Sequence, residues 1–313
     1  MSLKLIFFGT PNFAVQILNE IYNSNFILEC VVTNPDKKSG RGRKINKSPV
    51  KDYCLEKNIK TLHPESLTDT KFISKLEHFK ADLFVVVAFK KLPKLVWEIP
   101  RLGTINLHAS ALPDYRGAAP INWVIINQES ETGATTFYID EKIDCGRIIL
   151  IEKIKIENSE TYDSLVDKMI LVGKKLMIAT IREIKKGNNG YEQLEERKLN
   201  SAPKLNKENT RIDWSAPLDK IDSKIRGLSS YPGAWTELSG NNKIIQIKIY
   251  KASIEYSKNR SNPKNLLFVN DKIIITHKEG ILICHEIQLP SKRRMKSQEI
   301  LNGNHLKPFF KAK

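Results

Sequence analysis

The first half of the chain alternates short β-rich segments with helical segments, and this order limits its possible folds more than any other feature. Runs rich in β-branched and large apolar residues occupy Leu5–Phe8, Leu28–Val32, Ala81–Val87 and Thr104–His108. Helical patterns lie between them, as at Phe13–Tyr22 and Val50–Glu56. Strands that alternate with helices form parallel sheets, because each connection crosses over in a right-handed sense. The pattern therefore predicts an α/β fold with a doubly wound, mostly parallel sheet.

Two more strands and a long helix complete this first domain. Thr135–Ile139 and Arg147–Ile156 predict an antiparallel extension of the sheet. Thr161 suits the N-cap of the long helix. A Gly-Asn-Asn-Gly sequence follows the helix and marks a boundary. We therefore predict a first domain over residues 1–189 and a polar linker over residues 190–208.

Residues 209–313 have a different pattern, in which short β-rich runs follow one helix. The helix candidate is Leu218–Leu228, and the runs cover Ala234–Leu238, Ile244–Ile254, Ile273–Thr276 and Ile281–Ile287. Turn sequences that contain glycine separate neighbouring runs. Several short strands in a segment of this length favour a small OB-like β-barrel, a fold that often binds oligonucleotides.

Positive charge is concentrated in two segments of the chain. The 313 residues carry 51 Lys and Arg against 35 Asp and Glu, a net charge of +16. Residues 34–51 contribute +6 and residues 205–313 contribute +10, so the rest of the chain is neutral overall. Lys outnumbers Arg 39 to 12, as an AT-rich genome would also produce, but such a bias would spread the charge evenly. Two separate basic patches favour contact with a polyanion such as a nucleic acid.

Several classes of protein are disfavoured by what the sequence lacks. The longest apolar run, Leu83–Phe89, is far shorter than the roughly 18 residues of a membrane span. The apolar stretch before Gly9 is too short for a signal peptide. The four cysteines and the other histidines are not at metal-ligand spacing, so we expect no metal site and a reducing compartment. No G-x-G-x-x-G sequence follows the first strand, which argues against a nicotinamide or flavin cofactor.

A polar pair ends the strand Thr104–His108. Asn106 and His108 alternate along this strand, so both side chains point to the same face. They lie at the carboxyl edge of the predicted sheet, where α/β proteins bind ligands. Two donors that converge on one point can stabilise a developing oxyanion. The alternative is a half-buried polar pair that only caps the strand.

The loop Asp140–Arg147 offers a carboxylate for the same site. Asp144 beside His108 would orient the imidazole and favour its protonated form, a pairing common in catalytic sites. A simple turn residue is the alternative for a single aspartate in a polar loop. Cys145 is its neighbour, but a small thiol in a loop is usually inert, so we do not expect a cysteine nucleophile.

The basic segment within residues 34–51 follows the second strand, so it emerges at the same edge of the sheet. It reads NPDKKSGRGRK, and its two glycines among basic residues predict a flexible cationic loop. A solvated surface loop is the alternative. Its position favours a role in gripping a phosphate-rich substrate close to the reacting groups.

Together these segments resemble the folate-dependent formyltransferases, and within them the methionyl-tRNA formyltransferases, over nearly the whole chain. The matching segments are FFGTPNFAVQIL, NPDKKSGRGRKINKSPVK, RLGTINLHASALPDYRGAAPINW, ETGATTFYIDEKIDCGRII and RIDWSAP, in that order. The N-x-H sequence with a later aspartate is shared by the whole superfamily. The basic loop, RIDWS and YPGAW are similar to those of the enzymes that act on tRNA. The resemblance implies a Rossmann-like domain of the formyltransferase type, followed by the OB-like barrel.

The resemblance also implies a reaction. The formyl group of 10-formyltetrahydrofolate would pass to the amino group of methionine on initiator Met-tRNA, giving formylmethionyl-tRNA for translation initiation. Asn106, His108 and Asp144 would be the catalytic residues. Asn106 and His108 would stabilise a tetrahedral intermediate with support from Asp144, and neither a metal nor a covalent enzyme intermediate is needed.

Binding residues and partners follow from the same resemblance. The folate would contact Ser110, Ala111, Leu112, Pro113 and Phe89. The tRNA acceptor end would contact Arg41, Arg43, Lys44 and Lys47, while the C-terminal barrel holds the tRNA backbone. We expect a monomer in the bacterial cytoplasm with no membrane partner.

One segment departs from the family pattern. Members commonly carry an Ala-Tyr-Gly sequence after the third strand, whereas this chain reads Ala88-Phe-Lys-Lys-Leu-Pro93, which lacks the glycine and is one residue shorter. The loop borders the pterin pocket in the family. We therefore expect the details of folate binding to differ there.

Other functions stay open from the sequence. A formyltransferase for a purine precursor would not need the second domain, and one for a nucleotide sugar would not need the basic loop. A non-catalytic RNA-binding protein derived from such an enzyme would be expected to lose Asn106, His108 or Asp144, and all three are present.

Overall fold

The computed structural model describes residues 2–39, 44–194, 199–240, 243–257, 264–269, 271–303, 306 and 311–312. Its strands are β1 (Lys4–Gly9), β2 (Ile27–Val32), β3 (Lys37–Ser39), β4 (Lys44–Asn46), β5 (Thr61–Leu62), β6 (Leu83–Val87), β7 (Thr104–His108), β8 (Arg116–Gly117), β9 (Glu131–Tyr138), β10 (Ile148–Lys155), β11 (Ser201–Ala202), β12 (Ala234–Gly240), β13 (Lys243–Tyr256), β14 (Leu266–Val269), β15 (Lys272–His277), β16 (Gly280–Gln288), β17 (Arg294–Lys296) and β18 (Lys311–Ala312). Its helices are α1 (Asn12–Tyr22), α2 (Pro49–Glu56), α3 (Thr70–His78), α4 (Lys94–Trp97), α5 (Pro120–Ile126), α6 (Tyr162–Lys185), α7 (Leu218–Gly227) and α8 (Ser297–Asn302).

The chain divides into two compact units. The first contains residues 1–117, 131–155 and 166–201, and the second contains residues 118–130, 156–165 and 202–313. No helix in the described part of the chain is long and apolar enough to cross a membrane.

A seven-stranded sheet forms the centre of the first unit, in the order β10-β9-β7-β6-β1-β2-β5. The five strands from β7 to β5 are parallel, and β9 and β10 extend the sheet in the antiparallel direction. The predicted α/β architecture with its antiparallel extension is therefore confirmed.

The composition of β6 explains why it lies inside this sheet. All five residues of Leu83–Val87 are buried, as expected for a parallel strand covered on both faces. Phe8 on β1 packs against Phe84 on β6, and Phe72 and Leu76 of α3 belong to the same apolar core. Because β6 and β7 are parallel neighbours in this buried sheet, their carboxyl ends lie side by side.

The second unit contains a nearly closed antiparallel barrel. Its strands follow the order β14-β15-β16-β13-β12-β18, and β17 pairs with β16. A bridge between Asn265 and Lys311 brings the two edges of this sheet together. The core holds apolar residues of α7 and of the barrel strands, such as Ile221, Ile249 and Ile275. The prediction of a small barrel after the α/β domain is confirmed.

Helix α5 belongs to the second unit although it precedes the first strand of the barrel by more than 100 residues. Its Asn122 side chain donates a 2.8 Å hydrogen bond to the carbonyl of Gly227, at the end of α7. A Cβ atom at Gly227 would lie 2.8 Å from Ile126 and 2.9 Å from the carbonyl oxygen of Asn122. The close packing of α5 on α7 therefore requires glycine at this position.

The sequence did not predict the hairpin within the basic segment. Strands β3 and β4 pair antiparallel, with Lys37 opposite Asn46 and Ser39 opposite Lys44. Charged residues and glycine signal a loop, whereas the backbone of both arms is extended and hydrogen-bonded. The residues between the two arms, 40–43, lie outside the described part of the chain.

Candidate active site

The His108 imidazole lies between two oxygen acceptors at the carboxyl end of β7. Only 6% of the residue is exposed. Its Nε2 atom is 2.8 Å from the carbonyl oxygen of Tyr115, and its Nδ1 atom is 3.7 Å from a carboxylate oxygen of Asp144. The Nε2 atom donates to the carbonyl, which leaves Nδ1 to face the carboxylate. Both ring nitrogens therefore face oxygen atoms in this environment.

The Asp144 carboxylate is held in place by a main-chain amide. The amide of Gly117 donates a 2.9 Å hydrogen bond to the same carboxylate oxygen that faces His108. Asp144 has a φ of +56°, in the left-handed region that most residues avoid. A Cβ atom at Gly146 would lie 1.8 Å from the carbonyl oxygen of Tyr138, so only glycine allows this turn to pack there. The structure thus brings the predicted pair His108 and Asp144 together.

The Asn106 side chain lies two residues before His108 on the same face of β7. It is half-buried, and its amide makes no hydrogen bond to any residue that the structure describes. A polar group in such a position normally has a partner. The amide is therefore free to donate to a ligand at the edge of the sheet.

The predicted folate loop after β7 is fixed by hydrogen bonds within the loop and to the neighbouring strand β9. Ser110 is completely buried, and its hydroxyl donates a 2.6 Å hydrogen bond to the carbonyl of Asp114. Thr135 on β9 donates to the Ser110 carbonyl at 2.7 Å and accepts from the Leu112 amide at 3.1 Å. Ala111 and Pro113 are half-buried, so they present the accessible surface of this loop.

Phe89 follows β6, which pairs directly with β7. It therefore lies at the same edge of the sheet as the loop after β7. Its ring is half-buried and lies 5.8 Å from the ring of Phe8, with the apolar core around Leu92 and Val96 beneath it. Ala88 before it has a φ of +48°, which turns the chain sharply after the strand.

The base of the basic loop is closed by polar contacts. Lys51 and Asp36 form an ion pair at 2.8 Å, and the hydroxyls of Thr33 and Ser48 lie 2.8 Å apart. Lys47 is exposed. The predicted tRNA contacts Arg41 and Arg43 lie outside the described residues, and for Lys44 the structure describes only the backbone, at the start of β4.

Sequence reasoning did not find four residues that complete this site. Tyr115 and Gly117 contact the predicted pair through main-chain atoms, which no side-chain pattern reveals. Arg116 and Gln193 bind the Asp144 loop through their side chains. Gln193 lies in the predicted polar linker, where nothing in the sequence separates it from its neighbours.

Metal chemistry has no obvious ligands in this region. No group of three His, Cys, Asp or Glu side chains within the described ranges is placed to hold a metal ion. The donors present are an amide, an imidazole and a carboxylate, which suit proton transfer and oxyanion stabilisation.

Comparisons with known proteins cover both units. The formyl transferase family matches residues 3–181, and the formyl transferase C-terminal domain matches residues 204–305. A methionyl-tRNA formyltransferase of Flavobacterium johnsoniae is 46% identical over 303 residues, which is 96% of each chain. One of Bacteroides thetaiotaomicron is 40% identical over 318 residues, 99% of this chain and 98% of that relative.

Solved structures share the fold at low sequence identity. HypX from Aquifex aeolicus in complex with tetrahydrofolic acid has a TM-score of 0.67 and 16% identity. The similarity covers 96% of this chain and 47% of HypX, so this chain spans about half the length of that protein.

Proposed function

The chain belongs to the formyl transferase family, and we propose that it transfers the formyl group of 10-formyltetrahydrofolate to the amino group of methionine on initiator Met-tRNA. The product is formylmethionyl-tRNA for translation initiation. One observation carries the assignment of the site. The free amide of Asn106 and the imidazole of His108 share a face at the strand end, and the imidazole is backed by Asp144.

The chemistry requires stabilisation of negative charge on the formyl oxygen. The amine nitrogen bonds to the formyl carbon, the C=O electron pair moves to oxygen, and a tetrahedral centre forms. When the C=O bond forms again, the bond between carbon and the folate nitrogen breaks, and the proton lost by the amine balances the charge on that nitrogen. Asn106 and His108 donate hydrogen bonds to the oxygen while it is negative. Loss of one such donor typically lowers the rate about 10²- to 10³-fold.

Asp144 keeps His108 able to donate. The Asp144 carboxylate, 3.7 Å from Nδ1, holds the orientation of the ring. The Nε2–H group donates to the Tyr115 carbonyl before the substrates bind, so donation to the formyl oxygen requires that this N–H turn from the carbonyl to the substrate. Asp144 would hold Nδ1 in place during this change.

The folate would lie along the loop after β7. Ala111 and Pro113 offer accessible surface there, Leu112 and Ser110 set the loop's shape, and Phe89 borders it on the next strand. This apolar rim with few polar groups suits a flat heterocycle. The altered loop after β6 changes the rim at Phe89 and Lys90, where the family commonly has Tyr and Gly.

The tRNA would be held by the two basic segments. Residues 34–51 carry a net +6, and Arg41, Arg43, Lys44 and Lys47 in this loop would meet the acceptor end. The barrel belongs to a segment of +10, and its lysines would contact backbone phosphates. We also propose that the reaction takes place in the bacterial cytoplasm and that the protein acts as a monomer.

An acceptor competition tests this function. The full-length protein is given 10-formyltetrahydrofolate with Met-tRNA, free methionine or a nucleotide aminosugar, and formylated product is measured by mass spectrometry. We expect transfer to Met-tRNA alone, and its loss in His108→Ala. Formylation of the aminosugar in place of Met-tRNA would assign the chain to the sugar branch of the family.

A further inference from the structure

Gln193 uses all of its hydrogen-bonding capacity on the loop that carries Asp144 and on Arg116. Its Nε2 atom donates to the carbonyl oxygens of Asp144 at 3.0 Å and Gly146 at 2.8 Å. Its Oε1 atom accepts from Arg116, at 2.6 Å from Nη2 and 3.2 Å from Nε. The Arg116 Nε atom also donates to the Asp144 carbonyl at 3.1 Å. This arrangement fixes the orientation of the amide, because the carbonyl faces the cation and the NH₂ faces two carbonyls.

The backbone on either side anchors Gln193 to the same region. Tyr191 and Ile148 exchange two main-chain hydrogen bonds of 2.8 and 2.9 Å, which tie this segment to the start of β10. Gln193 is half-buried, whereas its neighbours Glu192 and Leu194 are exposed. The Gln193 side chain therefore faces the Asp144 loop, while the residues on either side of it are exposed.

The Asp144 loop needs such support. Asp144 has a φ of +56°, a conformation that persists only where the surroundings enforce it. Its carboxylate must stay beside His108, and the Gly117 amide holds one of its oxygens. Arg116 and Gln193 hold the main-chain carbonyl of the same residue, so the side chain and the backbone of Asp144 are fixed from opposite ends.

On the premise of the proposed function, we infer that Gln193 is a positioning residue that holds the Asp144 carboxylate against His108 during formyl transfer. Gln193 acts through Asp144 and does not touch the reacting atoms. Its loss therefore lowers the rate of the chemical step and leaves substrate binding unchanged. A displacement of a catalytic group by about 1 Å can reduce a rate about 100-fold.

The test uses Gln193→Glu, which keeps the shape of the side chain. One carboxylate oxygen still accepts from Arg116, but the other, in the place of the NH₂ group, cannot donate and faces the Asp144 and Gly146 carbonyls. We expect kcat to fall about 10-fold or more, with KM for Met-tRNA and for folate within twofold. Glu192→Gln, the opposite change at the exposed neighbour, is the matched control and keeps the wild-type kcat.

A double-mutant comparison separates positioning from general structure. In an Asp144→Ala background, Gln193→Glu should change kcat by less than twofold, because the group it positions is gone. Gln193→Met repeats the comparison if the thermal unfolding midpoint of Gln193→Glu falls. Wild-type kcat in Gln193→Glu and Gln193→Met, or a full additional loss in the Asp144→Ala background, overturns the inference.

The same experiment distinguishes failure of the proposed function. If the wild-type protein does not formylate Met-tRNA, the proposed function fails before any variant is compared. The variant series is then run on whichever acceptor the wild-type protein formylates, and the same two results decide the role of Gln193.

Discussion

The site around His108 and the surface of the barrel are built on opposite principles. At the site, a few buried or half-buried groups are held at defined distances, such as the 2.8 Å between His108 Nε2 and the Tyr115 carbonyl. On the barrel, charge is spread over exposed side chains above an apolar core. Lys292 and Lys296 are exposed there and form no ion pair with any described residue.

This difference predicts how each region responds to change. Hydrogen bonds to a developing charge depend steeply on geometry, so one altered atom at the site affects the rate strongly. Phosphate contacts add in small and similar steps that salt weakens. Variants of the site should therefore alter kcat, and variants of the barrel should alter affinity and its salt dependence.

The largest effect is expected at the site itself. His108→Ala and Asn106→Ala should each lower kcat about 10²- to 10³-fold, because each removes a donor to the tetrahedral oxygen. Steady-state kinetics with Met-tRNA measure the loss, and tRNA binding at equilibrium is the control and should persist. Near-normal kcat in either variant would remove that residue from the catalytic set.

A smaller effect is expected in the basic loop. Arg41→Ala should lower kcat/KM for Met-tRNA about 10- to 100-fold, since a hydrogen bond to a charged group contributes roughly 1.5–3 kcal/mol. The dissociation constant of folate, measured by fluorescence, should stay unchanged. If folate binding weakens and tRNA use does not, the loop has been assigned to the wrong substrate.

A still smaller effect per residue is expected on the barrel. Lys292→Glu with Lys296→Glu should flatten the salt dependence of log affinity by about 0.7–0.9 for each phosphate that is no longer neutralised. Arg293 and Arg294 are the matched comparison, because they already pair with Glu299 at 3.0 Å and Glu286 at 2.5 Å. Filter binding of Met-tRNA at several salt concentrations measures the slope.

The outcome of that titration separates two explanations of the charge. An unchanged slope in the lysine variant would show that the barrel meets a partner other than tRNA. Reversal of Arg294 is expected to affect stability as well, since its guanidinium also stacks 4.5 Å from the centre of the Tyr250 ring. Reversal in the intact chain is preferable to truncation, because α5 packs on α7 of the second unit.

The smallest effect on kcat is expected when a cysteine is replaced. Burial raises the pKa of Cys30, Cys54 and Cys284 to about 12, so their thiolate forms are negligible at pH 8. Cys145 is half-buried and should be the thiol that iodoacetamide labels first. Cys145→Ala should keep kcat within twofold, because no covalent intermediate is needed. A large loss of kcat in this variant would contradict the proposed chemistry.

The sequence predicts the architecture well because the pattern of apolar and polar residues along each strand follows its burial. Leu83–Val87 is apolar throughout, and such a run fits a central parallel strand and little else. The pair Asn106 and His108 is predictable for the same reason, since alternation places both on one face at the strand end. Their meeting with Asp144, which is 36 residues beyond His108, follows from the resemblance and is seen in the structure.

The rest depends on contacts that leave no local pattern. Tyr115 takes part through its carbonyl. Its φ of +59° could not be predicted from a tyrosine in the sequence. Gln193 stands among other polar residues, and its partners lie on a different loop. The β3–β4 hairpin is formed by charged residues that usually indicate an irregular loop. The first two features are decided by tertiary hydrogen bonds, and the third by the pairing of two neighbouring strands.

The most direct test of the difference between the site and the barrel measures the rate of formyl transfer and the affinity for tRNA in the same two variants. Single-turnover formyl transfer at saturating Met-tRNA, and the salt slope of tRNA affinity, are determined for Asp144→Asn and for the Lys292→Glu, Lys296→Glu variant. We expect Asp144→Asn to lose about 100-fold in rate, because His108 loses the carboxylate that orients it as an oxyanion donor, with an unchanged slope. The lysine variant should keep the rate and show a flatter slope. A wild-type rate in Asp144→Asn would contradict the account of the site.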